Sequence, residues 1–504
     1  MRPPLMTMSS TSTDVQGDTD LANLEYSADE MRQMGDATLA RAVEHITSLA
    51  SQPVSGEVDV DTYCRTLLEP APEKGSAFEP ILEQLFREWI PKSLTTPGPG
   101  FLGYIPGGGL YPAAIADFIQ NTTNRYTGIW RSAPALVQLE ANALGWIREW
   151  MQFPESAGGL FTTGGSMATF NAILCAREKH LGADIRPGVI YTSAQVHHSV
   201  AKSANLAGIM PDRVHRIEVD EQFRMRTDLM ARAIEADRRA GLNPFLVVSS
   251  AGTTNTGAVD PLEVIANYCA QEGLWHHVDG AYGGFFYMCP QLRPLLTGLE
   301  RADSLTLDPH KGLFLPYGTG ALLVRDGAAL RRVHTATGDY MPAMPDDPDN
   351  CYDPSQHGPD LSRGFPGLRV WLSVQLYGTE KLRAAVSEKR ELALKAASRI
   401  GHLPGIVMDA PPQLSLFAFH LEWPGSTLDE QNVATTVLLD RVRDRGKILM
   451  TGCTAGGRFL ARVCVLSFRT RQEQIDTCVQ HVADEVKRIL ADHTGSGRPS
   501  RQPD

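Results

Sequence analysis

Residues 244–280 read PFLVVSSAGTTNTGAVDPLEVIANYCAQEGLWHHVDG. The run Phe245–Val248 is continuously apolar and ends in two serines, and a Gly/Thr/Asn-rich turn follows. Positions 261–272 carry helical periodicity, and "LWHHVD" (274–279) is a second short apolar run. Strand, helix and strand in this order form a βαβ unit, whose helical crossover returns the chain in the same direction and makes the two strands parallel. Strands covered by helices on both faces read as unbroken apolar runs rather than alternating ones, and "PFLVV" does.

The same pattern extends outward. Further strand candidates are "GVIYTS" (188–193), "DSLTL" (303–307) and "GALLVR" (320–325), with helical periodicity over 166–181, 198–207 and 226–240. The alternation predicts the α/β class, with a mostly parallel sheet between layers of helices. Ligands of such sheets bind beyond the C-terminal ends of the strands. The last third reads as a smaller α/β lobe: a helix near 370–401, strand 413–423, helix 428–444, strand 458–468 and helix 472–490. Upstream, 28–50 predicts an amphipathic helix through Met31, Met34, Leu39, Val43, Ile46 and Leu49, followed by helix 78–90 and a Gly/Pro-rich run, 97–112. The expected organisation is a disordered tail (1–25), an N-terminal helical segment (26–100), a large domain (101–370), a small C-terminal domain (371–490) and a second tail (491–504).

Of the 504 residues, 47 are basic and 58 acidic, and the net charge of −11 argues against nucleic acid as a partner. No apolar segment approaches bilayer length, and the N-terminus has no apolar signal core, so neither a membrane nor a secretory route is expected. The 8 cysteines form no C-x-x-C pair and several sit in apolar runs, which suits reduced thiols in the cytoplasm.

Three features end strands of the proposed sheet. "FTTGGSMATFNAI" (161–173) is a Gly-rich turn running into a helix, where free N–H groups and the Ser166 hydroxyl make a seat for an anion. Asp279 closes "WHHVD", where a carboxylate needs a cationic or N–H partner. Lys311 interrupts "LTLDPHKGLFLP" (305–316), where an unpaired ammonium would be costly to bury. A phosphate seat, a carboxylate and a lysine are together what pyridoxal phosphate requires: the lysine bonds to its aldehyde carbon, and the carboxylate keeps the ring nitrogen protonated. The paired histidines at 197–198 and 276–277 could suggest a metal. Neighbours on a regular strand point to opposite faces and cannot share one ion, and no metal is expected.

Asp279 and Lys311 in "HVDGAYGG…ADSLTLDPHKG", with "GGLFTTGGSMAT" and "YTSAQVHHSVAKSA" upstream, closely resemble the pyridoxal-phosphate-dependent group II amino-acid decarboxylases, and most of all the aromatic ones. The resemblance runs from about residue 26 to 490. It implies fold type I of the pyridoxal-phosphate enzymes and a homodimer embraced by the N-terminal helices. It further implies that Lys311 anchors the cofactor, Asp279 partners the pyridine nitrogen, Ala281 packs under the ring and His197 stacks over it. Gly165 and Ser166 match the phosphate-binding pair, while Thr254 and His310 match residues close to the cofactor. Asp308 stands where the aromatic enzymes often have an asparagine near the phosphate, a contact an acid would make poorly.

Tyr104, Pro106 and Gly107 fall in the segment resembling the substrate pocket. Tyr352 is the expected proton donor to the substrate carbon, with Tyr340 as the alternate. The implied reaction is decarboxylation of an aromatic L-amino acid to amine and CO2. Arg125 and Arg131 keep an acidic amino acid open, and loss of the donor would divert the reaction to an aldehyde. The rival from another class is a catalytically silent scaffold, which the joint presence of Lys311, Asp279 and His197 argues against.

Overall fold

The computed structural model of the chain describes residues 23–56, 60–335 and 351–494. They fall into two compact units, the described residues of Met1–Ser51 with Gly56–Ser93 and those of Gln52–Ser55 with Leu94–Asp504.

The first unit is helical: α1 (Ala28–Ser48), α2 (Asp61–Thr66) and α3 (Phe78–Gln84). A capping box starts α1, in which the Glu30 N–H donates to Ser27 Oγ and the Ser27 N–H donates to the Glu30 carboxylate. The apolar stripe expected over 28–50 is present, yet α1 buries none of its residues, and Met31, Leu39 and Val43 are about half exposed.

The second unit holds two sheets. The larger has the strand order β1-β7-β6-β5-β4-β2-β3. Its strands are β1 (Gly158–Thr162), β2 (Gly188–Ser193), β3 (Val214–Ile217), β4 (Asn243–Ser250), β5 (Trp275–Gly280), β6 (Ser304–Leu307) and β7 (Gly320–Val324). Only β7 runs antiparallel to its neighbours. The helices that interleave with these strands are α4 (Tyr111–Thr123), α5 (Pro134–Trp150), α6 (Gly165–Leu181), α7 (Ser199–Leu206), α8 (Thr227–Arg239), α9 (Leu262–Glu272), the single turn α10 (Pro309–Gly312) and α11 (Ala328–His334). Strands β2 and β4–β7 lie at the expected places; β1 and β3 had not been predicted. Two glycines open β1 and weaken its strand signal, while β3 is a four-residue, partly exposed strand at the sheet edge.

The two faces of the large sheet bury different cores. Val278, Leu305 and Leu307 pack on one face with the aromatic segment Phe285–Tyr287. Ile190, Leu246, Val248 and Trp275 pack on the other against α6, whose buried positions are mostly small (Ala168, Ala172, Cys175, Ala176), so the helix lies close to the sheet. Because side chains alternate along a strand, Trp275, His277 and Asp279 share the face that α6 covers.

The smaller sheet, β10-β11-β9-β8, is antiparallel: β8 (Ile406–Ala410), β9 (Leu416–Leu421), β10 (Thr451–Ala455) and β11 (Arg458–Cys464). It packs with α12 (Pro366–Gly401), α13 (Leu428–Asp444) and α14 (Gln472–Thr494) around Phe417, Phe419, Leu438 and Val482. The helix expected over 370–401 begins at Pro366 and is interrupted at Gly378, whose φ of 71° lies in the left-handed region that glycine enters without steric penalty. It crosses the expected domain boundary at 370. Strands β8 and β10 were not predicted.

Candidate active site

Five loops at the C-terminal ends of parallel strands converge on one cavity of about 340 Å³. After β1, the turn Thr163–Gly164 leads into α6, and after β2 come His197 and Ser199. The end of β4 contributes Ser250 and Gly252–Thr254, β5 contributes Asp279 and Ala281, and β6 contributes Asp308, His310 and Lys311.

The first turn of α6 leaves the N–H groups of Gly165 and Ser166 for a ligand, since no helical carbonyl precedes them. Gly165 is required by space: a Cβ there would lie 3.2 Å from Ala281 Cβ and 3.3 Å from Asp308 Oδ2. The cradle and its free donors suit a phosphate.

Asp279 faces the cavity and accepts the Ala281 N–H at 3.1 Å. Burial pushes its pKa up, partly opposed by that N–H and by Lys311. A carboxylate held in this way gains from a cation placed beside it, which is what a protonated ring nitrogen provides. Lys311 Nζ lies 2.8 Å from Asp308 Oδ2, and His310 Nε2 lies 3.6 Å from the same oxygen. His310 Nδ1 is held 2.8 Å from the Thr319 carbonyl. His197 Nδ1 is 2.8 Å from Ser199 Oγ, and burial, aided by His198 and Lys311, lowers its pKa to about 4. The imidazole over the cavity is therefore neutral at neutral pH.

Behind Asp279, on the face under α6, a chain of buried hydrogen bonds runs between strands. The Trp275 indole donates to Ser304 Oγ at 2.8 Å, His277 Nδ1 shares a 2.8 Å bond with the same hydroxyl, and His277 Nε2 lies 3.2 Å from Thr306 Oγ1. His276 turns to the opposite face and meets Ser249 Oγ at 2.8 Å. The two adjacent histidines thus serve different faces of the sheet.

Burial lowers the pKa of both His276 and His277 from 6.5 to about 3. Each binds a proton more readily in the unfolded chain, so the stability present above pH 6.5 is lost as pH falls from there toward 3. Lowering the pH from 7 to 5 should cost about 2 kcal/mol per histidine. Urea unfolding of the apoprotein at the two pH values measures this, and His277→Gln should remove roughly half of their joint contribution. An unchanged pH dependence in that variant would refute this account of the acid sensitivity.

The structure brings together Lys311, His310, Asp308, Asp279, Ala281, Thr254, His197, Gly165 and Ser166. It does not bring Tyr104, Pro106 or Gly107 into the cavity lining. Gly107 donates its N–H to Tyr317 Oη at 3.2 Å and lies so close to that ring that a Cβ would fall 2.8 Å from Cζ. Tyr104 is 58% exposed, and its backbone is held by Thr451 Oγ1 and by Arg462.

Tyr352 also lies outside that lining. It lines a separate cavity of about 120 Å³ with Leu144, Arg148, Gly159 and Leu323, toward the N-terminal end of β1, while the active-site cavity opens at the other end of that strand. Packing against the core outweighed the loop character read from the sequence, and burial together with Glu140 raises its pKa. Tyr340 lies outside the described residues.

Two contributors escaped the sequence reading. Ser199, two residues beyond His197, holds the imidazole. Arg462, on β11, is buried with only neutral partners: it donates to the carbonyls of Thr254 (2.6 Å), Tyr104 (2.8 Å) and Asn255 (3.3 Å) and to Thr451 Oγ1 (2.8 Å). It ties the small sheet to the cavity loop that carries Thr254. The available signal was an arginine inside the apolar strand "RFLARVCVLSF" (458–468).

The sequence profile described as "Pyridoxal-dependent decarboxylase conserved domain" matches residues 62–422. The chain belongs to the pyridoxal-dependent decarboxylase family. As a member of it, the chain is a pyridoxal-phosphate-dependent amino-acid decarboxylase of fold type I. It is 33% identical to an aromatic-L-amino-acid decarboxylase of Bacillus atrophaeus, over 92% of this chain and 98% of that protein. Catharanthus roseus tryptophan decarboxylase in complex with L-tryptophan is 26% identical, covers 92% of this chain and 100% of that one, and superposes with a TM-score of 0.85. The structure of Oryza sativa TDC with PLP and tryptamine, 24% identical over 93% of this chain and 100% of that one, shares the fold with a TM-score of 0.88. Among the described residues of this decarboxylase, no helix is long and apolar enough to cross a membrane.

Proposed function

We propose that this decarboxylase acts on an aromatic L-amino acid and releases the amine and CO2. The observation that carries the substrate class is the cavity lining, in which Lys311 is the single Lys or Arg side chain among the described residues. A substrate with an acidic side chain calls for an arginine. Arg125 and Arg131, which kept that reading open, are exposed and lie outside the lining. The aromatic substrate classes named for the Bacillus and Catharanthus relatives support the same choice.

Pyridoxal phosphate, when bound, supplies the electron sink that accepts the pair left by the departing carboxylate. The chain's own residues do the remaining work. Gly165 and Ser166 offer N–H groups to the phosphate. Ala281 and His197 both line the cavity that would take the flat ring. Asp279 supplies the negative charge that keeps the ring nitrogen protonated, and His197, neutral at working pH, adds no charge that would compete with that proton. Lys311 holds the cofactor between turnovers.

The proposal extends to a cytoplasmic homodimer. The unburied apolar stripe of α1 and the exposed Phe118 and Ile119 on α4 suit a second copy. A single-chain mass by light scattering at assay concentration would contradict the dimer.

We do not assign the proton-donor role to Tyr352, whose side chain lines the separate cavity near the start of β1 and not the one that holds Lys311. The test is product identification across the common amino acids, 5-hydroxytryptophan, DOPA and cysteine sulfinate. Amine and CO2 from aromatic members are expected, with little from glutamate, aspartate or cysteine sulfinate. Tyr352→Phe should keep turnover within about threefold and raise neither aldehyde nor peroxide, against the roughly 10²–10⁴-fold loss expected on removing a true general acid. Preferred turnover of an acidic amino acid, or stoichiometric aldehyde and peroxide from the parent, would overturn the reading.

A further inference from the structure

Asp308 has one carboxylate oxygen 2.8 Å from Lys311 Nζ, while the other, Oδ1, is buried with no hydrogen-bond partner. Its side chain is 2% exposed, and it closes β6 so that the carboxylate stands between the lysine and the first turn of α6. An asparagine of the same shape would offer the cavity an amide, which is compatible with a nearby phosphate. A carboxylate is compatible with an ammonium instead, and that is where this one points.

We propose that Asp308 is the charge partner of Lys311: the ion pair holds the side-chain nitrogen whenever it is free, and so slows capture of the cofactor, which must break that pair. The inference rests on the reading of Lys311 as the cofactor lysine and goes beyond it. Capture requires the ammonium to give a proton to solvent and the freed lone pair to bond to the aldehyde carbon. The carbonyl oxygen takes one proton from the nitrogen and one from solvent and leaves as water. The ion pair with Asp308 must separate for these events to begin. The same pairing gives the nitrogen an ionic resting place when a substrate amine displaces it.

The other groups around Lys311 come from several elements. Asp279 on β5 adds negative charge on the opposite side, while His197 after β2 and His310 on α10 are both held below their ordinary pKa by burial. Cys464 on β11 is pushed up to about 12 by burial and stays a neutral thiol. Among the described groups, Asp308 alone makes a direct ion pair with the amine.

The experiment uses the full-length apoprotein and two probes, pyridoxal phosphate and pyridoxal, with capture followed by absorbance between pH 6 and 10. Borohydride reduction and peptide mapping confirm the site. Removing the opposite charge at this range should speed capture at pH 7 about tenfold or more with either probe in Asp308→Asn. Asp308→Glu, which keeps the charge, should stay near the parent rate, and Asp308→Ser carries the same expectation as Asp308→Asn should the amide variant not fold.

An unchanged capture rate in the neutral variants overturns the proposal. So does acceleration with pyridoxal phosphate but not with pyridoxal, which would mean that the carboxylate acts on the phosphate rather than on the lysine. A parent carrying no label on Lys311 overturns the functional reading and this inference with it. A labelled parent with an unchanged capture rate in Asp308→Asn overturns this inference alone.

Discussion

Lys311→Ala is expected to lower turnover by at least about 10⁴-fold, the upper end of what a single positioned proton-transfer group contributes, because this side chain also carries the covalent link. Lys311 is the single primary amine lining the cavity, it stands on the one-turn helix α10 directly after β6, and its nitrogen is already 2.8 Å from a buried carboxylate. Side chains on a regular element at a strand end are held more narrowly than those on a free loop, and that precision is what covalent capture needs. Borohydride reduction of the parent in the presence of pyridoxal phosphate should place the label on the peptide containing Lys311, and the variant should carry none. Label on another lysine, or a variant within tenfold of the parent, would remove Lys311 from the role.

Asp279→Ala should be the second largest loss, about 10²–10³-fold in turnover, the range found when one preorganised charge is removed from a reacting centre. Burial raises the pKa of Asp279 in the free site, so its charge is held at a cost that a cation beside it offsets. Without that carboxylate the ring nitrogen has no negative partner in the cavity to hold its proton, since Asp308 is engaged with Lys311 and His310. Asp279→Asn, which keeps the shape and loses the charge, should fall nearly as far. Cofactor occupancy must be measured alongside turnover, because the effect assigned to Asp279 is on chemistry at full occupancy. Near-normal turnover of fully loaded Asp279→Ala would show that the ring is activated in another way.

Much of the architecture was written in local patterns. Unbroken apolar runs such as "PFLVV" signal strands covered on both faces, and the helical spacing between them signals parallel crossovers, so β2 and β4–β7 lay where the sequence placed them. The strands that escaped carry little of their own signal. Gly158 and Gly159 become strand because β7 offers a partner for each, paired at Val324 and Leu323, and the "TGCTA" of β10 becomes strand because β11 pairs along its whole length. The β1–β7 pairing joins segments far apart in the chain and leaves no local mark, whereas β10 meets β11 across the short turn at Gly456 and Gly457.

The same division runs through the site. The sequence by itself determined which residue types end the strands: a lysine after β6, a carboxylate at the end of β5 and a glycine turn into α6, each conspicuous because a polar or flexible residue interrupts an apolar run. Only the tertiary structure decided which of them meet. Asp308 turns to Lys311 because an ammonium lies within reach. Arg462 reaches the loop of Thr254 because β11 packs beside it. Tyr352, which reads as a loop residue, packs against the core beside the start of β1, since its ring gains more from burial than from solvent. Local sequence encodes the preference of each residue for burial, charge or turn. Which charge finds which partner, and which aromatic is buried, depends on free energies shared between segments far apart in the chain, and those exist only once the chain is folded.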